Sequence, residues 1–140
     1  MKSNVLFLCT RNSARSQMAE AWTRHLSQGT VSAYSAGLTP SEVHPLTIQV
    51  MEEVGVSMVG ARSKGVDEFL GKVPIGHAII VCADAEKNCP SLWPFCGDVK
   101  SWPFDDPASC SGSDYEKLDE FRRIRDEIRQ QIQEWLSADS

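Results

Sequence analysis

The stretch Val5-Leu6-Phe7-Leu8-Cys9-Thr10-Arg11-Asn12-Ser13-Ala14-Arg15-Ser16 decides the fold of this chain. Its apolar run predicts a buried strand over residues 4–9, because the run is continuous rather than alternating. An apolar residue then recurs at every fourth position, which predicts a helix over residues 13–27 (Met18, Trp22, Leu26). The small and polar residues between these two elements therefore form a strand-to-helix turn.

This turn is suited to binding an oxyanion. Backbone N–H groups in such a turn, together with the helix N-terminus, attract negative charge. Cys9 lies at the start of the turn, where the amides, the helix dipole and Arg15 favour its thiolate form. The Arg15 guanidinium can also hold a tetrahedral oxyanion through two parallel hydrogen bonds. An isolated cysteine is more often a core residue, so the polar neighbours carry the interpretation of Cys9 as a nucleophile.

Composition places the chain among globular proteins and limits its partners. Its 140 residues are 41% hydrophobic and 24% charged, which fits one domain spanning residues 1–140. The net charge of −5 disfavours nucleic acid as a partner. The first apolar run is too short for a signal peptide, and no stretch is long enough to span a membrane. We therefore expect a cytoplasmic protein without membrane partners.

The rest of the pattern predicts an α/β fold with a mostly parallel sheet. Ser113 and Glu116 form a capping box that opens the clearest helix of the chain. Because strands alternate with helices, the sheet is expected to be parallel, with ligands at the carboxyl ends of its strands. Cys9 and Cys82 each end a predicted strand and are expected at that edge. Further strands are predicted over 31–35, 77–82 and 99–102, and further helices over 45–54 and 67–70.

The five cysteines are not expected to form structural disulfides in a reducing compartment. They are nucleophiles, redox relays, metal ligands or core residues. Cys82, Cys89 and Cys96 are evenly spaced, and His77 lies nearby. Zinc sites usually contain a close cysteine pair with about two to four intervening residues, however, and this chain has none. We therefore predict no metal, and for Cys96 and Cys110 only packing or incidental exposure.

Residues 7–20 resemble the phosphate-binding loop of the low-molecular-weight tyrosine phosphatases, and more closely that of arsenate reductases built on the same fold. Other stretches are similar to landmarks of that family: Tyr34-Ser35-Ala36-Gly37, His44-Pro45, residues 102–108 and residues 121–128. The resemblance implies a single low-molecular-weight phosphatase-like domain, with a four-stranded parallel sheet flanked by helices. No exposed apolar stripe suggests self-association, so we expect a monomer.

The resemblance also assigns roles around the loop. It implies that the oxyanion is bound by Thr10, Arg11, Asn12, Ser13, Ala14, Arg15 and Ser16. Asp106 stands before Pro107 at the position of the family's general acid, which protonates the departing oxygen. On sequence alone, a role as loop or helix-cap residues is favoured for Asp105 and Asp106. With the resemblance, Asp106 is the acid and Asp105 is structural.

Cys82 and Cys89 favour arsenate reduction over hydrolysis. Reducing arsenate takes two electrons, which thiols supply by forming a disulfide. Residues 81–90 are similar, including the cysteine spacing, to the redox segment of thioredoxin-coupled arsenate reductases. The resemblance implies that Cys9, Cys82 and Cys89 pass an electron pair to an outer disulfide that thioredoxin reduces. It implies arsenate and arsenite as substrate and product, phosphate or sulfate as mimics, a mobile redox segment, and no bound cofactor.

Three alternatives stay open at this point. A low-molecular-weight protein tyrosine phosphatase would use Cys9, Arg15 and Asp106 unchanged, but Ala108-Ser109 stand where such phosphatases tend to carry tyrosines. A reductase could draw electrons from glutathione with glutaredoxin, or from another small thiol. Some of those relatives have closely spaced second and third cysteines, whereas the wider gap in this chain favours thioredoxin. A non-enzymatic oxyanion sensor would need neither the acid nor the third thiol.

The chain departs from its relatives at three positions near the loop. Ala14 replaces a cysteine found in several relatives, and Arg11 adds a cation where relatives often have glycine. Lys64 stands where some relatives have an aspartate that holds a potassium ion together with the counterparts of Asn12, Glu20 and Ser35. Our hypothesis is that the Lys64 ammonium replaces that ion.

Overall fold

The protein is built around a parallel sheet of four strands in the spatial order β2-β1-β3-β4. A computed structural model describes residues 4–9, 11–37, 41–58, 60–69, 75–81, 96–102, 104–105, 107 and 111–138. The strands are β1 (Val5–Cys9), β2 (Ala33–Gly37), β3 (Ile75–Ile80) and β4 (Cys96–Ser101). The predicted α/β class with a four-stranded parallel sheet is confirmed.

Strand β1 lies in the centre of the sheet. All of its residues are buried, and it pairs with β2 on one side and β3 on the other. A continuous apolar run suits a strand that is covered on both faces. Its register places Cys9 opposite Gly37 and Leu8 opposite Ile80. Cys9 therefore lies at the carboxyl edge of the sheet, where α/β proteins bind their ligands.

The other strands differ in their bounds from the predicted ranges. β2 covers residues 33–37 rather than 31–35, because its ladder with β1 runs as far as Gly37. β3 begins at Ile75 rather than at residue 77, and the predicted end at Cys82 lies outside the described residues. β4 is longer than the predicted 99–102, since its pairing with β3 begins at Cys96. Pairing between strands, which is not local in sequence, sets all of these bounds.

The helices are α1 (Arg15–Ser27), α2 (Pro45–Glu53) and α3 (Asp114–Ala138), with a short 3-10 helix over Val66–Glu68 near the predicted 67–70. α1 begins after the predicted residue 13, because the turn still includes Ser13 and Ala14. Pro45 is the first residue of α2, as predicted, and Gly55 follows its end at a φ of 79°.

Helix α3 begins at the predicted capping box. The Ser113 N–H donates to Glu116 Oε1 (3.3 Å), and the Glu116 N–H donates to Ser113 Oγ (3.2 Å). The buried face of α3 packs against α1 and α2 and consists of Phe121, Ile124, Ile128, Ile132 and Trp135. Every helix in the described part of the chain is too short or too polar to cross a bilayer.

An arginine–glutamate cluster joins α2 to α3. Arg122 donates two hydrogen bonds to the Glu53 carboxylate (2.6 and 3.0 Å). Arg125, which is almost fully buried, donates to Glu53 Oε1 and to the Val50 carbonyl, each at 3.0 Å. The hydrogen bonds from Arg122, with a smaller contribution from Arg125, hold the pKa of Glu53 below its usual range. Glu53 therefore stabilises the fold in its ionised form.

We expect Glu53→Gln to lower Tm at pH 7 by about 4 °C, because the buried Arg125 guanidinium keeps only Asp126 as an anionic partner and Arg122 loses its pairing with Glu53. A carboxyl whose folded pKa is lowered loses its contribution as pH falls through that pKa, so the difference in Tm should shrink between about pH 5 and pH 3. Thermal unfolding across that range measures both effects. Glu52→Gln removes the same charge from the neighbouring exposed position and should change Tm by less than about 1 °C. Equal effects of the two variants would contradict this role.

Candidate active site

Cys9 and the first turn of α1 form the candidate site. Cys9 is 3% exposed at the end of β1, residues 11–14 form the turn, and Arg15 begins α1. Ala14 is the N-cap residue of α1 and bonds no side chain to the first N–H groups of the helix, although Ser, Thr, Asp or Asn commonly fills that role. These N–H groups are suited to an anion instead.

Asn12 fixes the shape of the turn. It is fully buried and adopts a left-handed backbone conformation, with φ at 53°. Its Nδ2 donates to Ser16 Oγ at 2.8 Å. Gln17 Nε2 donates to the Asn12 carbonyl (3.1 Å) and to Asn12 Oδ1 (2.9 Å), and the Lys64 N–H donates to the same Oδ1 at 2.8 Å. A conformation that is disfavoured for most side chains is therefore held by hydrogen bonds from both sides of the turn.

The carbonyl groups of the turn are bonded to neighbouring segments. The Asn12 carbonyl accepts from Gln17, as described above. The Arg11 carbonyl accepts from the Ser41 N–H (3.2 Å) and from Ser63 Oγ (2.8 Å). The Ser13 carbonyl accepts from the His44 N–H (3.1 Å) and from Thr47 Oγ1 (3.2 Å). Three consecutive carbonyls thus have donors outside the turn.

The amide groups of the turn point the other way. In a trans peptide the N–H of one residue is antiparallel to the carbonyl of the residue before it. The carbonyls of residues 11, 12 and 13 face their external donors, so the N–H groups of Asn12, Ser13 and Ala14 face the opposite side. Among the described residues, none accepts a hydrogen bond from these three N–H groups. Together they form a preformed cradle for an oxyanion.

Arg15 adds a positive charge to the cradle. Its Nη1 donates to the Phe104 carbonyl at 3.1 Å, which orients the guanidinium. A cation on the first turn of a helix is unfavourable for the helix dipole, and residues 15–18 include no acidic side chain to compensate for it. A bound oxyanion would neutralise the Arg15 guanidinium and the positive end of the α1 dipole. Arg11 and Ser13 lie on the same turn, and the Arg11 side chain is exposed to solvent.

A buried ion pair lies on the other side of Asn12. Ser35 Oγ donates to Glu20 Oε1 at 2.7 Å, and Lys64 Nζ lies 3.4 Å from each of these two oxygens. Lys64 Nζ also donates to the Arg62 carbonyl (3.0 Å), while Arg24 forms an ion pair with Glu20 Oε2 at 3.2 Å. Burial is the main cause that lowers the pKa of Lys64, and Glu20 opposes it. The ammonium thus lies among the groups where the hypothesis requires an internal cation.

The remaining predicted residues, Thr10, Cys82, Cys89 and Asp106, lie outside the described residues. Two described residues that are close to Cys82 and Asp106 in sequence are bonded next to the cradle. The Val81 N–H donates to the Leu8 carbonyl (2.9 Å), and the Phe104 N–H donates to the Val81 carbonyl (3.3 Å). Val81 directly precedes Cys82, and Phe104 lies two positions before Asp106 in sequence. Both segments therefore leave the described structure at the edge that holds Cys9.

Two further predictions concern this edge. Asp105, expected to be structural, is exposed and forms an ion pair with Arg123 of α3 at 3.2 Å. The zinc alternative depends on Cys82 and Cys89 and so also falls outside the described residues. Within the described ranges, no three His, Cys, Asp or Glu side chains are grouped to hold a metal ion.

Sequence reasoning missed the residues that support the turn from outside. Gln17, Thr47 and Ser63 each bond to its backbone, yet Thr47 and Ser63 lie more than thirty positions away along the chain. Their polarity alone does not distinguish them from surface residues. Gln17 did carry a signal, since a glutamine on the first turn of a buried helix needs polar partners.

Comparison with known proteins gives consistent results. A family model described as low molecular weight phosphotyrosine protein phosphatase matches residues 4–139. An arsenate reductase of Staphylococcus aureus strain Newman is 38% identical over 136 residues, which cover 97% of this chain and 98% of the relative. A solved arsenate reductase in the phosphate binding state is similar with a TM-score of 0.79 at 31% identity, over 99% of this chain and 100% of that one. A thioredoxin-dependent arsenate reductase of Corynebacterium glutamicum has a TM-score of 0.72 at 29% identity, over 97% of this chain and 61% of that one.

We expect the native chain to show the same Tm and the same phosphate affinity in potassium and in sodium at equal ionic strength, because Lys64 Nζ already neutralises Glu20. Lys64→Ala should lower stability by about 3 kcal/mol, since it leaves a buried carboxylate without that cation. Potassium should then stabilise the variant more than sodium does. Thermal unfolding and phosphate titration in each salt test this.

Lys117→Ala serves as the matched control, because it removes a lysine from the first turns of α3. It should show neither the loss of stability nor a preference for potassium. A severalfold gain in phosphate affinity when potassium replaces sodium on the native chain would contradict the hypothesis.

Proposed function

The chain belongs to the low-molecular-weight phosphotyrosine protein phosphatase family, and from that membership we propose that it reduces arsenate to arsenite through a Cys9–Cys82–Cys89 thiol relay. One observation carries the proposal: relatives that match this chain over nearly their full length are arsenate reductases. The cradle at Cys9 and the two further cysteines of the sequence supply the chemistry that this activity requires.

The turn over residues 11–14 and Arg15 would bind the substrate. Arsenate is a tetrahedral oxyanion, and it would accept hydrogen bonds from the N–H groups of Asn12, Ser13 and Ala14. Arg15 would hold two further oxygens, because Nη1 is anchored on Phe104 and the guanidinium has five N–H groups in a fixed plane. The loop residues Thr10 to Ser16 together form the oxyanion site. An arsenate held in this way would have its arsenic atom over Cys9.

The first chemical step forms a bond between sulfur and arsenic. Cys9 attacks as the thiolate, and one arsenate hydroxyl leaves as water. Asp106 would donate the proton that makes water, rather than hydroxide, the leaving group. Asp106 follows Phe104 and Asp105 in sequence, and the Phe104 carbonyl is bonded to Arg15. This contact supports an acid close to the bound anion.

The second step transfers two electrons. The Cys82 sulfur attacks the Cys9 sulfur, so that a disulfide forms while the sulfur–arsenic bond breaks. The electron pair of that bond goes to arsenic, which changes from As(V) to As(III) and leaves as arsenite. Cys89 then attacks Cys82, forming a Cys82–Cys89 disulfide and releasing Cys9 as a thiolate. Cys82 must come within disulfide range of both partners, with Cα atoms less than about 7 Å apart.

An external dithiol must then reduce the Cys82–Cys89 disulfide. We propose thioredoxin, because a thioredoxin-dependent arsenate reductase is similar to this chain in both sequence and structure. This donor fits a single-domain monomer working in the reducing cytoplasm, without a bound cofactor.

The second candidate is phosphotyrosine hydrolysis, which the family description itself favours. It would use the same cradle, Cys9, Arg15 and Asp106, with water in place of Cys82 in the second step. We expect weak hydrolysis of small aryl phosphates in either case. The two functions differ in their need for Cys82 and Cys89.

Cysteine variants separate the two activities in one experiment. With thioredoxin, its reductase and NADPH present, Cys82→Ser and Cys89→Ser should each lower arsenate-dependent NADPH consumption at least about a hundredfold. Neither variant can form the Cys82–Cys89 disulfide that thioredoxin would reduce. Both variants should hydrolyse p-nitrophenyl phosphate at the native rate. Cys110→Ser, the matched control, should leave both activities unchanged.

Repeated turnover of arsenate by Cys82→Ser with thioredoxin would rule out the relay. Efficient hydrolysis of phosphotyrosine peptides by the native chain, without arsenate-dependent NADPH consumption, would favour the phosphatase.

A further inference from the structure

A cavity lies beside α1, next to the residues that support the oxyanion cradle. It has a volume of about 530 Å³, which is within the range of small-molecule sites. Its walls come from α1, β2 and residues 56–58 and 60–69. We call it the side pocket, and its principal lining residues are Glu20, Arg24, Tyr34, Arg62, Lys64 and Phe69.

The side pocket carries more positive than negative charge. Three cationic side chains line it (Arg24, Arg62 and Lys64), against the single lining carboxylate of Glu20. Lys64 and Glu20 form the floor, where each side chain is 10% exposed, whereas the Arg24 and Arg62 side chains are 57% and 64% exposed. Burial is the main cause that lowers the pKa of Lys64, and repulsion from Arg62 and Arg24 adds to it. An anion would relieve that repulsion.

The two arginines are held in place at the mouth. Arg24 donates to the Ala33 carbonyl at 2.8 Å as well as pairing with Glu20. Arg62 donates to both oxygens of Glu68, at 2.7 and 3.1 Å. Each guanidinium has five N–H groups, so these bonds orient it and leave further donors for an oxygen ligand. Orientation by existing contacts reduces the entropic cost of binding.

The wall between these charges is aromatic and apolar. The rings of Tyr34 and Phe69 lie 5.2 Å apart between centroids, tilted by 45°. Met58, which is almost buried, contributes a thioether to the same lining. Aromatic rings and methionine favour contact with another flat ring. The pocket therefore combines an aromatic and apolar wall with a cationic mouth.

We propose that the side pocket binds a small organic anion, an aromatic ring that carries a carboxylate. The ring would lie against Tyr34, Phe69 and Met58, and the carboxylate would accept hydrogen bonds from Arg24 and Arg62. This site does not depend on the proposed reduction of arsenate.

The side pocket shares two residues with the support of the cradle. Gln17 lines the pocket and donates to both oxygens of Asn12, and Lys64 donates to Asn12 Oδ1 through its backbone N–H. Gln17 also donates to the Arg62 carbonyl at 2.8 Å. A ligand that moves Arg62 or Lys64 therefore acts on the residue that shapes the turn. The two sites are expected to be coupled, and such coupling is reciprocal.

Isothermal titration calorimetry of the full chain with 2-naphthoate tests the site. We expect Kd below about 1 mM, and a loss of at least about tenfold in the double variant Arg24→Gln/Arg62→Gln, which removes two charge-assisted donors. Ala61→Phe fills the pocket without changing its charge and should weaken binding equally. Lys117→Gln, the matched control, should stay within about twofold. The neutral 2-naphthalenemethanol and acetate each lack half of the ligand, and each should bind at least about tenfold more weakly.

Titration in saturating phosphate completes the test. If naphthoate binds in the side pocket, it should change the NMR chemical shifts of Tyr34, Met58 and Phe69, and these changes should persist with phosphate bound. The phosphate affinity should change at least about threefold. Simple competition with phosphate, binding that the double variant and Ala61→Phe leave intact, or no binding would each overturn the site. Shifts in the pocket with unchanged phosphate affinity would retain the site and overturn the coupling.

Discussion

The site depends on one constraint, the left-handed backbone of Asn12. This conformation turns the chain so that three carbonyls face outward to hydrogen-bond donors and the following amides face inward. The hydrogen bonds from Gln17 and Lys64 to Asn12 stabilise this backbone conformation, which is unfavourable for most residues. The cradle is therefore formed before any ligand arrives, which spares the binding energy that ordering a loop would consume.

The same residues explain why a buried charge cluster lies beside the cradle. Lys64 reaches Asn12 through its backbone and Glu20 through its side chain, so the ion pair and the turn form one unit. A buried ion pair contributes little net stability, but losing one member of it is costly. Such a pair suits a site that must keep one geometry. Our interpretation is that it holds the turn rigid, while the N–H groups of Asn12, Ser13 and Ala14 keep no acceptor within the described part of the chain.

Local patterns predicted the elements of the fold but not their exact bounds. The apolar run to Cys9, Pro45 as the first residue of α2 and the Ser113 capping box are local signals, and each marked its element correctly. Pairing between distant strands set the ends of β2, β3 and β4, and a single sequence does not show pairing. The same limit applied to the site: Cys9 and Arg15 were visible in one turn, whereas Thr47 and Ser63 reach it only through the fold.

The central claim is that the turn around Asn12 holds an anion over a reactive Cys9, and the alkylation rates of the five cysteines test it most directly. Mass spectrometry would follow iodoacetamide labelling at pH 6.5, with and without phosphate, in the native chain and in Asn12→Ala. We predict that Cys9 of the native chain is labelled first, that phosphate protects it, and that Asn12→Ala removes both effects. Labelling of Cys9 no faster than that of Cys110, or labelling unaffected by phosphate, would contradict the account.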